Sequence, residues 1–240
     1  MHSSYLRWAT LVALCAGPAL AQAELAFNAG AVSDYRYRGI SQSRLKPALQ
    51  GGVDYSAGNW YAGVWGSTVR WIKDGAGGAD AEFDLYGGYK GEISKGLGFD
   101  LGLLSYQYPG HKLGLSPNTT EVYGALSFGP ATLKYSHSLS NLFGFGGSKN
   151  SGYLDLGATF ELGDGVSLAP HLGYQKVHGN SAYSYTDYSL MVSKAFGAVT
   201  LSAAAVGASV KDLAGVPAYA SPAGKDLGKA GLVLGAKYAF

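Results

Sequence analysis

The stretch ELAFNAGAVSDYRYR, residues 24–38, alternates apolar side chains with small or polar ones. Successive side chains of a β-strand point to opposite faces, so a period of two predicts one apolar and one polar face. On the apolar parity lie Leu25, Phe27, Ala29, Ala31, Tyr35 and Tyr37, and on the polar parity lie Asn28, Gly30, Asp34, Arg36 and Arg38. One face of this segment therefore suits hydrocarbon and the other suits water.

The same alternation recurs along the rest of the chain. Twelve strands are predicted at residues 24–38, 47–56, 60–70, 81–90, 97–108, 120–128, 131–140, 152–161, 166–177, 185–193, 198–210 and 229–240. Ten or fourteen strands are the alternatives, because Val199 to Val210 is rich in alanine and alternates weakly. Only helices and closed barrels satisfy every backbone group in lipid. We therefore predict an all-β, transmembrane, antiparallel up-and-down β-barrel of about 12 strands.

The predicted connections alternate between short and long. Short ones are 57–59, 91–96, 129–130, 162–165 and 194–197, and long ones are 39–46, 71–80, 109–119, 141–151, 178–184 and 211–228. Bacterial barrels have short periplasmic turns and longer outer loops. A secreted β-sandwich, the other fold that the composition allows, has no reason to sort its loops in this way. The pattern predicts an outer-membrane location with both termini in the periplasm.

The first 23 residues have the pattern of a cleaved signal peptide. Arg7 supplies positive charge, residues 11–20 are apolar, and residues 21–23 form an A-x-A site. The predicted division is a signal peptide at 1–23 and an outer-membrane barrel at 24–240. The single cysteine, Cys15, lies in the signal segment, so the mature chain has no thiol chemistry. Loss of Arg7 leaves 17 basic and 16 acidic residues, a near-balance that argues against nucleic acid as a partner.

Charged residues within the strands fall almost entirely on the polar, inward parity. They are Asp34, Arg36, Arg38, Asp54, Arg70, Glu82, Asp84, Lys90, Asp100, Glu121, Lys134, Asp155, Glu161, Asp187 and Lys237. Only Lys176 and Lys194 fall on the outward parity, and both lie near strand ends where they can snorkel. A Lys or Arg at the lipid midplane costs about 2–4 kcal/mol. This cost explains the segregation.

The inward residues predict a narrow aqueous pore for passive diffusion of small polar or charged solutes. The pore-lining candidates are Asp34, Arg36, Arg38, Asp54, Glu82, Asp84, Asp100, Glu121 and Asp155. Small inward residues leave volume for water, namely Gly66, Gly98, Gly102, Ala125, Ser127, Gly157, Ala169, Gly173, Ala204, Gly231 and Gly235, while inward Tyr86, Tyr106, Tyr123 and Tyr153 narrow it. The acidic excess predicts a mild preference for cations. The alternative is that these charges pair and plug the lumen of a structural or adhesive barrel.

Aromatic residues suggest contacts with the membrane and with the assembly machinery. Five near strand ends suit interfacial girdles: Tyr37, Tyr61, Trp71, Tyr89 and Tyr174. A sugar-stacking platform is the alternative for them. The chain ends in a strand with Phe240 last and Tyr238 on the same face, which resembles the carboxyl-terminal assembly signal of outer-membrane proteins. The predicted partners are outer-membrane lipid, small polar solutes and, through Phe240, the barrel-assembly machinery.

An enzyme is not predicted, and the serious rival in that class is an outer-membrane lipid hydrolase. A strand brings residues i and i+2 to one face, and none of His111, His137, His171 and His178 has a serine two residues later. A serine on a neighbouring strand remains as the open route to a hydrolase. No metal is predicted, because there is no mature cysteine and the histidines are scattered, and no cofactor is predicted.

Three segments carry a family resemblance. They are SDYRYRGISQS at 33–43, PALQGGVDY at 47–55 and WYAGVWGS at 60–67. Together these resemble the TorF-type porins, a proteobacterial family of conserved hypothetical proteins (Gcw_chp). The resemblance implies an outer-membrane barrel with channel function and brings no catalytic residue or substrate. The shared segments hold Asp34, Arg36, Arg38 and Asp54. The arginines are interpreted either as a pair for anionic or zwitterionic solutes or as partners in lumen salt bridges.

Overall fold

A computed structural model describes residues 23–75 and 77–240, and most of the predicted signal peptide lies outside these residues. Twelve long strands account for most of the chain. They are β1 Glu24–Val32, β2 Ala48–Ala57, β3 Trp60–Thr68, β4 Ala81–Ser94, β5 Leu97–Gln107, β6 Thr119–Phe128, β7 Ala131–Ser138, β8 in two pieces (Gly152–Ala158 and Phe160–Gly163), β9 Val166–Lys176, β10 Tyr185–Phe196, β11 Val199–Ser209 and β12 Gly231–Ala239.

Every strand pairs antiparallel with its neighbours in sequence, and β12 pairs with β1 to close the ring. At the seam Ala29 lies opposite Tyr238, and backbone bonds of 3.0 and 3.1 Å join Phe27 to Phe240. The Phe27 and Phe240 rings stack with centroids 5.9 Å apart. The closed antiparallel barrel of 12 strands is therefore confirmed, and the alternatives of ten and fourteen strands are wrong.

The connections alternate in length as predicted. Two-residue turns at 58–59, 95–96, 129–130, 164–165 and 197–198 join strand pairs at one end, and longer segments at 33–47, 69–80, 108–118, 139–151, 177–184 and 210–230 join them at the other. The long segments contain two-residue strand pairs, Arg36–Tyr37 with Ile40–Ser41 and Asp212–Leu213 with Val216–Pro217, and the 3-10 helices Trp71–Gly75 and Ser181–Tyr183. Within the described residues, no helix has the length and apolarity needed to cross a bilayer.

The exterior of the barrel is apolar. Large hydrophobic side chains stand exposed on one parity of each strand, such as Leu101 and Leu103 on β5, Leu154 and Leu156 on β8, and Leu232 on β12. A water-soluble protein does not expose apolar residues in a continuous band, so this surface suits lipid. The fold is that of an outer-membrane β-barrel.

The side-chain parity of β3 is the reverse of the prediction. Tyr61 is buried in the lumen, and Trp65 on the same parity packs against Tyr35 with ring centroids 5.4 Å apart. Exposed Val64 and the neighbouring Gly66 therefore face outward. The segment could be misread because both of its parities combine aromatic, small and aliphatic residues. The interpretation of Tyr61 as a girdle residue and of Gly66 as a lumen residue is wrong.

The first strand is shorter than predicted. It ends at Val32, and residues 33–47, here called the lumen hairpin, leave the wall and fold into the barrel. Ser33 still bonds to Leu234 of β12, through its amide at 2.8 Å and its hydroxyl at 2.9 Å. Tyr35 is buried and Tyr37 is half-buried inside the lumen. The prediction that these two tyrosines face lipid is therefore wrong.

Candidate pore constriction

The lumen hairpin is a two-stranded ribbon with a tight turn. Arg36 lies opposite Ser41 and Tyr37 opposite Ile40. The two turn residues, Arg38 and Gly39, have φ of +46° and +78°. Positive φ at both central residues is the requirement of the two-residue turns that match strand twist. Glycine meets it without strain, whereas a non-glycine residue such as Arg38 rarely adopts it. The arginine at the tip is therefore held by its contacts.

Hydrogen bonds to Asp34 fasten the base of the hairpin. The Asp34 Oδ1 atom accepts bonds from the hydroxyls of Ser41 at 2.6 Å and Ser43 at 2.9 Å. The Tyr35 amide donates to Ser43 Oγ at 2.9 Å, and the Gln42 amide donates to the Tyr35 carbonyl at 2.7 Å. Arg36 forms an ion pair with the other Asp34 oxygen. These local bonds let residues 33–47 fold as one unit inside the barrel.

Arg38 joins the tip of the hairpin to three strands of the wall. Its Nη2 and Nη1 donate to the two carboxylate oxygens of Glu121 at 2.7 and 3.1 Å, a bidentate arrangement. Nη1 also donates to Gln175 Oε1 at 2.6 Å, and the guanidinium lies 4.1 Å from the centroid of the Tyr153 ring. Burial lowers the pKa of Arg38, but the Glu121 carboxylate raises it more, so the net pKa lies well above its ordinary value.

Tyr35 joins the hairpin to an acidic pair on β4. Its hydroxyl donates to Glu82 Oε1 at 2.7 Å, and Tyr108 donates to Glu82 Oε2 at 2.8 Å. Burial, together with the nearby Glu82 carboxylate, raises the pKa of both tyrosines well above the ordinary value, so both remain donors. Asp84 is the next inward residue of β4 and is also buried. The tyrosine hydroxyls thus replace water around Glu82.

The remaining hairpin contacts reach the other sides of the lumen. Tyr37 bonds to the Tyr106 hydroxyl at 2.5 Å, and both rings pack on Phe143. Arg36 Nη1 donates to the carbonyls of Gly39, Leu227 and Lys229 at 3.0, 2.9 and 3.2 Å. A Cβ atom at Gly39 would lie 2.7 Å from the Asp187 Cβ. The hairpin therefore crosses the lumen and meets the wall at β3, β5 and β10.

A second polar cluster lines the wall nearer the short turns. Tyr61 donates to Asp100 Oδ1 at 2.5 Å and also bonds to Tyr123. Tyr86 donates to Asp54 Oδ1 at 2.5 Å. These tyrosines and carboxylates come from β2 to β6. Within this cluster Tyr61, Tyr123 and Asp100 are buried, while Asp54 and Tyr86 remain partly exposed.

A third cluster is centred on His171 of β9. Its Nε2 lies 3.4 Å from Asp155 Oδ2, and its Nδ1 lies 3.6 Å from Asp187 Oδ1. Tyr153 bonds to His171 Nε2 at 3.1 Å and donates to both Asp187 oxygens at 3.1 Å. Lys134 lies opposite Asp155 on the adjacent strand. This cluster adjoins Arg38 through the Tyr153 ring, so it extends the hairpin's network towards β9 and β10.

All nine pore-lining candidates lie inside the barrel. The structure brings Asp34 to Arg36, and Arg38 to Glu121, and it places Glu82 beside Tyr35 of the hairpin, with Asp84 next along β4. Asp54 and Asp100 lie in the second cluster, and Asp155 lies in the third, which adjoins Arg38 through the Tyr153 ring. The three hairpin candidates do not stand on the wall as predicted, because β1 has already ended. Their role in lining a conducting pore stays a prediction.

Sequence reasoning missed several residues of this site, among them Gln175, Tyr35 and Tyr37, and misplaced others. Gln175 could have been found, because it lies on the inward parity of its predicted strand. Nothing in the sequence indicated a lumen position for Tyr35 and Tyr37, because both fit the lipid-facing pattern. Trp71 belongs to a 3-10 helix and packs on Tyr108 with centroids 5.3 Å apart, so its assignment to a girdle is wrong. Tyr174 is exposed on the outer wall as predicted.

Exposure changes along the barrel axis. Inward residues at the level of the hairpin are buried, among them Glu82 at 1 % exposed, Glu121 at 2 % and Asp187 at 1 %. Inward residues nearer the short turns are mostly half-exposed; they include Asn28, Gly52, Asp54, Lys90, Lys134, Gly235 and Lys237. The hairpin therefore shields the inward side chains at its own level, while many of those nearer the short turns keep part of their surface accessible.

Comparisons with known proteins agree with this architecture. A family model described as "Bacterial protein of unknown function (Gcw_chp)" matches residues 16–240. The structure of the KdgM porin is similar, with a TM-score of 0.59 at 7 % identity, over 90 % of this chain and 99 % of that chain. That of the NanC porin has a TM-score of 0.56 at 12 % identity, with the same coverage. At these identities the likeness concerns the fold. Curated protein sequences give no match.

Proposed function

The chain belongs to the Gcw_chp family of bacterial proteins, and from its porin-like barrel we propose an outer-membrane channel that passes small polar or charged solutes by passive diffusion. The lumen hairpin is the constriction of this channel. We also propose the TorF-type porins as the group within which the chain falls, on the segments at 33–43, 47–55 and 60–67. The channel carries out no chemical reaction on its solute.

One observation carries the proposal: a polar ribbon of the chain lies inside a closed barrel and is fixed there by charged contacts. A hairpin held through Arg38 and Glu121 limits the size of a passing solute while the barrel itself stays rigid. Below it the half-exposed wall is polar, so water and small solutes have room. Acidic side chains outnumber basic ones among the lumen residues, which supports a mild preference for cations.

A plugged barrel with a structural or adhesive role is the second candidate, and the burial at the hairpin favours it. The Arg38 and Glu121 side chains are 7 % and 2 % exposed, and both are fully engaged. In this arrangement the hairpin would block solutes permanently. The two candidates differ in one property: a channel conducts with its hairpin present, whereas a plugged barrel conducts only without it.

Single-channel recording in planar bilayers separates these candidates. The wild-type barrel is compared with a variant in which residues 34–46 are replaced by a short Gly-Ser linker. We expect small discrete conductance steps from the wild type, with cations preferred in a salt gradient, and several-fold larger steps from the variant. Steps from the variant alone would establish the plug, and silence from both folded proteins would refute the channel. The gel-mobility shift on heating verifies that each barrel is folded.

The proposed location follows from the lengths of the connections. The long segments face the exterior of the cell, and the two-residue turns and both termini lie in the periplasm. Phe240, which stacks on Phe27 at the seam, is the contact proposed for the barrel-assembly machinery. Protease treatment of intact cells tests the orientation, because cleavage within 210–230 is expected only if the long segments are outside.

A further inference from the structure

A groove of about 500 Å³ opens on the outside of the barrel wall, at the long-segment ends of β9, β10 and β11. It is lined by the outward residues Tyr174, Lys176, Thr186 and Ser209, together with the adjoining residues 177–179, 181, 184–185 and 210–211. Leu172 and Leu190, farther along the same face, are exposed on the lipid-facing surface. The groove therefore begins where the apolar wall ends and does not belong to the lumen.

The groove is cationic. Lys176 ends β9 on its outward face, and Lys211 follows β11. Lys211 Nζ donates to the Ser181 carbonyl at 2.9 Å, which fixes its charge at the groove without neutralising it. His178 and the hydroxyl of Ser209 add further hydrogen-bonding groups. A site with two ammonium groups and several donors suits an oxyanion, and phosphate above all.

The level of the groove relative to the membrane points to a lipid. Tyr174 and Tyr188, on the adjacent strands β9 and β10, are exposed on the outer wall just below the polar residues. Tyrosines on a lipid-facing surface occupy the headgroup level, with the ring in the apolar region and the hydroxyl in the polar one. The groove thus lies where lipid phosphates lie.

The charges of the long segments extend the same field. Outside the inward-pointing Asp34, Arg36 and Arg38, these segments carry more basic than acidic residues: Arg44, Lys46, Arg70, Lys73, Lys112, Lys149, Lys211, Lys225 and Lys229 against Asp74, Asp80, Asp212 and Asp226. At the other end, within three residues of the two-residue turns and of the ends of β1 and β12, acidic residues slightly outnumber basic ones, with Glu24, Glu92, Glu161 and Asp164 against Lys95, Lys194 and Lys237. The end of the barrel that carries the groove therefore attracts anionic headgroups.

We propose that this groove binds the phosphorylated headgroup of a lipid in the surrounding leaflet. The phosphate lies between Lys176 and Lys211, and the acyl chains lie on the wall below, along Leu172 and Leu190. With the long segments outside, as proposed above, the occupant is a phosphorylated saccharolipid of the outer leaflet. The site is separate from the lumen, so lipid binding and solute passage are measured independently.

Native mass spectrometry of the detergent-solubilised full barrel, titrated with diphosphoryl lipid A, tests this site. We expect the variant Lys176→Gln with Lys211→Gln to bind lipid A about 30-fold more weakly than wild type, since each basic residue near a membrane surface contributes about fivefold. The matched control is Lys112→Gln with Lys225→Gln, which removes the same charge from long segments outside the groove. This control is expected to lose much less affinity than the groove variant, because Lys112 and Lys225 act on the lipid only through the general field of the long segments and not by contact in the groove.

Three results would overturn the inference. One is equal binding of lipid A to the groove variant and the wild type, and another is an equal loss in the control variant. The third is displacement of lipid A by inorganic phosphate at matched concentration, which would make the site one for free phosphate. Conductance of the groove variant remains at the wild-type level in every case, which separates failure of the lipid site from failure of the proposed channel.

Discussion

Replacing Glu121 by glutamine should release the lumen hairpin. The substitution keeps the size of the side chain but removes the charge that faces Arg38 through bonds of 2.7 and 3.1 Å. Arg38 retains only neutral hydrogen-bonding partners on the wall, namely the amide oxygen introduced at position 121 and Gln175 at 2.6 Å. Its guanidinium would then be a buried charge without a counter-ion, which is the costly outcome for such a pair.

The size of the effect follows from burial. The two side chains are 7 % and 2 % exposed, so solvent screens their interaction little. Removing one partner of a buried pair costs about 3–5 kcal/mol, and the lower value applies here because glutamine still accepts one hydrogen bond. A loss of about 3 kcal/mol raises the population of undocked hairpin by roughly 100-fold, at 1.4 kcal/mol for each factor of ten. The barrel strands lose nothing, so the cost falls on docking.

Two measurements report on docking. Open events in planar bilayers should become longer and larger in Glu121→Gln. The second measurement is Trp65 fluorescence, in a background in which Trp60 and Trp71 are replaced by phenylalanine. Its emission should shift to the red, because Tyr35 no longer packs against the Trp65 ring. Glu161→Gln, at the rim near a two-residue turn, is the matched control and should change neither signal. The double variant Arg38→Met with Glu121→Gln carries no orphaned charge, so its effect should be smaller than that of Glu121→Gln alone.

A folded Glu121→Gln barrel with wild-type conductance and wild-type Trp65 emission would contradict docking of the hairpin through this ion pair. Such docking would also be refuted if the double variant were more disturbed than the two single variants taken together. Either result would mean that the hairpin does not depend on the buried ion pair.

Other variants test separate contacts. Tyr35→Phe removes one of two donors to Glu82, which should cost about 1–3 kcal/mol of docking and shift Trp65 emission partway, and an unchanged spectrum would contradict this. Gly39→Ala should increase the conductance, because the added Cβ would clash with Asp187 on the wall and undock the hairpin. The control is Gly215→Ala, at φ +88° with nothing within 4 Å of the added Cβ, which should leave the conductance unchanged. Equal conductance changes in the two variants would contradict the packing of the hairpin tip against the wall. Leu156→Arg on the lipid face should lower the free energy of unfolding from liposomes by about 2–4 kcal/mol, measured by urea titration, and no loss would place that face in water.

The wall of the barrel could be predicted from sequence because its cause is local. Each strand has one parity that must meet hydrocarbon, so exposed residues such as Leu154 and Leu156 mark the strand, its face and its length. The turns between strands are short enough that their positions follow from the strands. The number of strands, the alternation of short and long connections, and most of the inward charges could therefore be predicted from composition and from the two-residue repeat of apolar and polar side chains.

The hairpin could not be predicted because its pattern imitates a strand. Tyr35 and Tyr37 alternate with Arg36 and Arg38 as lipid-facing and lumen-facing residues would. In the structure the alternation separates two faces of a ribbon inside the lumen, and the tyrosines bond to Glu82 and to another tyrosine. Only partners that are distant in sequence distinguish a wall strand from a lumen hairpin. Glu121, for example, lies 83 residues from Arg38. The alternation of apolar and polar side chains carries no information about partners that are distant in sequence.

The separation of an apolar exterior from a wet lumen is tested most directly by single cysteines at Leu154, Asp155 and Leu156, each introduced alone. Since Cys15 is the chain's one cysteine and lies in the predicted signal peptide, labelling is specific. An environment-sensitive fluorophore is attached in proteoliposomes and challenged with lipid-borne and aqueous quenchers. We predict quenching from lipid at positions 154 and 156 and from water at position 155. Lipid quenching at 155, or aqueous quenching at all three positions, would contradict the barrel.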